Sequence, residues 1–102
     1  MHYHLIVHKE DVYLEAKDMN VSKEKENLAL CAQKTIEEIL SKNLPNVLEI
    51  PRGIDPRKIP ECIKEKDSVT LYGARHGQCL SGALSALRIM GVSSEYHPNG
   101  CI

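Results

Sequence analysis

The chain contains neither Trp nor Phe, and tyrosine, present four times, is its only large aromatic, so any hydrophobic core has to be assembled from Ile, Leu, Val, Ala, Met and Tyr. It also lacks an excess of either charge. Thirteen Lys and Arg against fourteen Asp and Glu leave a formal net charge of −1, which excludes the basic field that drives nonspecific association with nucleic acid or an anionic membrane. No apolar run approaches the length of a membrane span, and Met1 to His8 carries no charged leader followed by an apolar stretch. The expectation is a cytoplasmic protein that binds neither nucleic acid nor membrane. Without an export signal, Cys31, Cys62, Cys79 and Cys101 read as reduced thiols rather than as disulfide partners.

What is present has the balance of a globular domain, 42% hydrophobic and 26% charged, and 102 residues suffice for one core but not two. The expectation is therefore a single domain over 1–102. Tyr3, Leu5 and Val7 alternate with His2, His4, Ile6 and His8, and a β-hairpin from about Tyr3 to Ala16 follows from that period of two. From Ser22 the period changes. Ser22 suits a helix cap, Glu24 and Glu26 suit the positive end of the helix, and Leu28, Cys31, Ala32, Thr35, Ile36, Ile39 and Leu40 form a helical stripe. Asn43-Leu44-Pro45 ends that helix, and Asn46 to Ile50 reads as a short buried strand closed by Pro51-Arg52-Gly53.

Pro56 and Pro60 predict a turn and then a short helix over Glu61 to Lys66, burying Ile59, Cys62 and Ile63. Val69 to Tyr72 is a compact strand. After it, Leu80, Ala83, Leu84, Leu87 and Ile89 mark a buried helix ending at Gly91, and Val92 to Tyr96 reads as the last strand. This alternation predicts an α/β fold with a small, mainly parallel sheet, helices packed on it and an N-terminal β-hairpin.

In such a sheet ligands bind beyond the carboxyl ends of the strands. That rule selects Arg52, the loop Gly73 to Cys79, and the tail His97 to Cys101. The loop carries Gly73, Arg75, His76 and Gly77 and feeds a helix whose free N–H groups favour an anion. Its glycine spacing matches neither the phosphate-binding P-loop nor the dinucleotide fingerprint. A tight strand-to-helix turn accounts for the same residues. Cys79 at the helix start, beside Arg75 and His76, is the thiol best placed for activation, against the plainer role of a small buried hydrophobe. His76-x-x-Cys79 and His97-x-x-x-Cys101 form a second constellation with the spacing of paired zinc half-sites. His2, His4 and His8 read as a solvated strand face rather than a metal site.

From about residue 50 to 102, Tyr72 entering a loop, Gly91 ending a helix and Asn99-Gly100-Cys101-Ile102 closing a final strand resemble the layout of the second half of a rhodanese-like domain. The resemblance implies an anion-cradling loop and sulfur handling. The chain departs from it at the decisive residue, since Gly73 stands where that family carries its persulfide-forming cysteine. Three functional expectations follow. The first is a small anionic or sulfur-bearing ligand at Gly73 to Cys79, with Arg52, Arg75, His76 and Gly77 binding it and Cys79 as the candidate catalytic residue. The second is zinc held by His76, Cys79, His97 and Cys101. The third is a non-catalytic interaction domain, with a homodimer through an exposed strand edge left open.

Overall fold

The alternation at the N-terminus produces strand β1 (His2–Val7), with Tyr3, Leu5 and Val7 buried on one face and His2 and His4 more exposed on the other. The computed structural model describes residues 1–75 and 77–102. β1 pairs in parallel with β2 (Val47–Ile50) on one side and with β3 (Ser68–Gly73) on the other, and β3 pairs in parallel with β4 (Ser93–Cys101). The result is one four-stranded parallel sheet in the order β2-β1-β3-β4. The α/β fold with a parallel sheet is as the sequence predicts.

The N-terminal hairpin is not formed, because its second arm is helix α1 (Lys9–Lys17). Val12 and Ala16 alternate with polar residues as a strand would require, but they also lie four apart, and both are buried on one helical face. Glu10 and Asp11 occupy the first turn and Lys17 the last, the arrangement the helix dipole favours. His8 turns the chain from β1 into α1 in the left-handed conformation (φ 49°, ψ 52°). Helix α2 (Lys23–Ser41) starts at Ser22, whose Oγ accepts the Lys25 N–H at 3.3 Å. Its buried stripe is Ala29, Ala32, Ile36 and Ile39, whereas Leu28 and Cys31 stay exposed.

The helix expected over 61–66 is absent. Local hydrogen bonds compete with it: Asp67 accepts the Lys64 N–H at 2.8 Å and the N-terminal ammonium at 3.0 Å, and Lys66 takes a positive φ of 76°. Ile63 is buried nonetheless, while Cys62 is exposed. Helix α3 (Cys79–Ile89) buries Leu80, Ala83 and Leu87.

Two apolar layers sandwich the sheet. On one face α3 and Ile63 close over Tyr3, Leu5, Val7, Ile50, Val69 and Leu71. On the other α1 and α2 close over Ile6, Tyr72 and Ala74. Each fully buried Leu or Ile contributes about 1.5–3 kcal/mol, so these layers carry the fold without Phe or Trp. No helix among the described residues is long and apolar enough to cross a membrane.

Candidate functional site

The strand order reverses direction between β1 and β3: from β1 the chain passes to β2 on one side, then returns to β3 on the other. Ligands in open parallel sheets enter at such a point, beyond the carboxyl ends of the two strands. Here those ends lie close together. The Val7 carbonyl accepts the Ala74 N–H at 3.1 Å, and a Cβ on Gly73, whose φ is +120°, would collide with that same carbonyl. Glycine at 73 is thus required by a backbone contact, and the position has no room for a sulfur-bearing side chain.

Next to this junction lies a cleft of two adjoining cavities. One, of about 630 Å³, is lined among others by Asp11, Leu14, Glu15, Asp18, Lys25, Arg52 and Arg75. The other, of about 330 Å³, is lined by Glu15, Lys25, Leu28, Arg75, Gly77 and Ile102. Arg52 is held from α1: its Nε lies 3.3 Å from Asp11 Oδ1, and its backbone N–H points to the Glu10 carboxylate at 3.4 Å. Fixing Nε in this way leaves the terminal guanidinium nitrogens for another acceptor. Among the described residues, Glu15, Lys25 and Arg75 have no ion-pair partner within 4.0 Å.

The cleft unites Arg52, Arg75 and Gly77 of the expected ligand set, whereas Gly73 lines neither cavity and is the close-approach residue of the β1–β3 junction. His76 lies outside the described residues. At the start of α3 the Arg75 carbonyl already accepts the N–H groups of Gln78 (3.1 Å) and Leu80 (2.9 Å), which removes two of the amides expected to face an anion. The side-chain cations that line the cleft are Lys17, Lys25, Arg52 and Arg75.

No protein-family model, no curated protein and no solved structure matches this chain. The chemistry therefore rests on the cleft and its residues.

Cys79 is partly buried and packs against the α3-side core, and it does not line the cleft. Cys101 packs against the same core. Its Sγ donates to the Leu71 carbonyl at 3.2 Å, and burial pushes its thiol up to about 11. His97 lies on the opposite face, where its ring stacks on Tyr72 with centroids 5.0 Å apart and its Nδ1 accepts the Asn99 N–H at 3.1 Å. The sheet thus separates His97 from Cys79 and Cys101, and among the described residues no group of three or more His, Cys, Asp and Glu could hold a metal ion. The segment from His97 to Cys101 is also not a tail. It continues β4, bulging past Tyr72 between the pairs Leu71–Tyr96 and Gly73–Cys101.

The remaining histidines have internal partners. His2 reaches Ser68 Oγ at 2.6 Å and Thr70 Oγ1 at 2.8 Å, and His4 Nδ1 is 2.8 Å from the Tyr72 hydroxyl. Burial, reinforced by His2, Lys42 and His97, holds His4 below its ordinary value. His8 is buried, not solvated. Its Nε2 donates to the Ile54 carbonyl at 2.8 Å, and Asp11 lies 3.9 Å from Nδ1.

Sequence reasoning did not single out Asp11, Glu15, Lys25, Leu28 or Ile102. The signal for the first two was a helical one: Asp11, Leu14, Glu15 and Asp18 follow the i, i+3, i+4, i+7 spacing of one helix face, and that face lines the larger cavity. A strand reading of 9–17 hides it.

Proposed function

We propose that this chain binds a small anionic ligand in the cleft beyond the carboxyl ends of β1 and β3, with Arg75, Lys25 and Arg52 as the charged contacts. The observation that carries the reading is the convergence of these cations from three separate segments on one cleft at the reversal of strand order. Arg52 comes from the loop after β2, Arg75 from the loop after β3 and Lys25 from the first turn of α2. A guanidinium held by Asp11 and a second one on the same cavity, without an ion-pair partner among the described residues, suit bidentate contact with a carboxylate or phosphate.

The resemblance of 50–102 to the second half of a rhodanese-like domain implies the same loop as the ligand site. Cys79, packed against the core rather than facing the cleft, favours binding over sulfur carriage. Titration of uniformly 15N-labelled protein with simple carboxylates and with inorganic phosphate tests the proposal. Saturable amide shifts at Glu15, Arg52, Arg75 and Gly77, lost in Arg75→Gln, are expected. Shifts confined to other surfaces, or none that saturate, overturn it.

A further inference from the structure

The cleft is not uniformly positive: Asp11, Glu15 and Asp18 share it with Lys17, Lys25, Arg52 and Arg75, and Glu15, the acid common to both cavities, narrows the ligand class. Glu15, Lys25 and Arg75 line both cavities, so they sit where the two adjoin. Glu15 extends from α1 and, among the described residues, neither cation answers it within 4.0 Å. A bare anion drawn in by Arg75 and Lys25 would meet a like charge at Glu15 and would leave that carboxylate desolvated without a partner, at a cost. A ligand with a positive group beside its anion removes both penalties. The smaller cavity adds a second requirement. Its wall includes Leu28, exposed at 56%, and Ile102, so an apolar group of the ligand gains by covering them. Its volume of about 330 Å³ suits a molecule of metabolite size.

We infer that the ligand is a free α-amino acid with an apolar side chain: carboxylate to Arg75 and Lys25, ammonium to Glu15, side chain on Leu28 and Ile102. This rests on the anion-binding reading above, and the probes separate the two. Leucine, 4-methylpentanoate, N-acetylleucine and alanine are titrated into the intact chain and followed by amide shifts. 4-Methylpentanoate keeps the carboxylate and tail but lacks the ammonium, N-acetylleucine imitates a peptide carboxyl terminus, and alanine lacks the tail.

Leucine is expected to bind at least about threefold more tightly than each of the others, the scale of one added partly exposed ion pair or of modest apolar burial. In Glu15→Gln the advantage over 4-methylpentanoate disappears while binding of 4-methylpentanoate is retained. Equal binding of leucine and 4-methylpentanoate overturns this inference and leaves the anion site standing. N-acetylleucine binding as tightly as leucine overturns it in favour of a peptide terminus, and alanine matching leucine overturns the role of the apolar wall. If no carboxylate and no phosphate binds, both readings fall. Because the decisive comparison is made on the unaltered chain, it does not depend on how Glu15→Gln folds.

Discussion

The two ends of β1 border titratable groups in different states. At its start, His2 and His4 find partners within the sheet, in Ser68, Thr70 and the Tyr72 hydroxyl. Beyond its end, Glu15, Lys25 and Arg75 face a common cleft with no partner among themselves within 4.0 Å. Titratable groups that satisfy one another hold a structure together. Groups that converge on a cavity unpaired are available to something that enters it. A more apolar cavity of about 440 Å³ near the first end, walled by Met1, Tyr3, Pro45 and Leu48, has space but lacks such convergence.

The contrast can be broken most severely at Gly73. Gly73→Ala combines a positive φ with a backbone collision at the very junction of β1 and β3, and is expected to cost about 3–5 kcal/mol, read from urea denaturation. Arg75→Gln separates function from fold. Ligand affinity should fall about tenfold or more, as loss of a charge-assisted contact predicts, while stability stays within about 0.5 kcal/mol. Asp11→Asn acts one step removed. By removing a like charge from the cleft wall and releasing the Arg52 guanidinium from it, this change should strengthen anion binding by up to roughly threefold, on the scale of a partly exposed ion pair, with the amide shift of Arg52 reporting the change.

The first end of β1 predicts a pH effect instead. His4 is held below 6.5 by burial and by the neighbouring His2, Lys42 and His97, so the unfolded chain binds more protons than the folded one between the two values. Its contribution is complete above pH 6.5 and is lost as the pH falls through that value toward the lowered one. Denaturation midpoints measured at about pH 7.5 and about pH 5.5 should converge in His4→Gln relative to the parent. The smallest effect is local. The fork from Arg57 holds the Asp55 carboxyl at about 2, and in Arg57→Ala that titration, followed by NMR, should return toward the ordinary carboxylate range with no change at the cleft.

Much of this architecture was legible along the chain because it depends on neighbours in sequence. The Ser22 cap, the α2 and α3 stripes, the strand at 68–73 and the turn at Gly91 are set by local periodicity and capping chemistry. Two elements were misread where local signals compete. In α1 a spacing of four between Val12 and Ala16 also fits a period of two, and at 61–67 the Asp67 carboxylate captures the amide a helix would have used. Arg52, Arg75 and Gly77 were placed together by the general rule for parallel sheets. Glu15, Lys25 and Leu28 were not, since which helix face borders the cleft depends on how α1 and α2 cross the sheet.

By itself, then, the sequence determined that a parallel α/β sheet forms without Phe or Trp, because burial pattern, caps and turn residues are properties of short segments. Only the tertiary structure decided which charges meet. His97 and Cys101 lie four residues apart, yet the bulge at Tyr72 and the alternation of the pleat put them on opposite faces of the sheet. Glu15 and Arg75, sixty residues apart in number, border one cavity because β1 and β3 are hydrogen-bonded neighbours and the chain reverses between them.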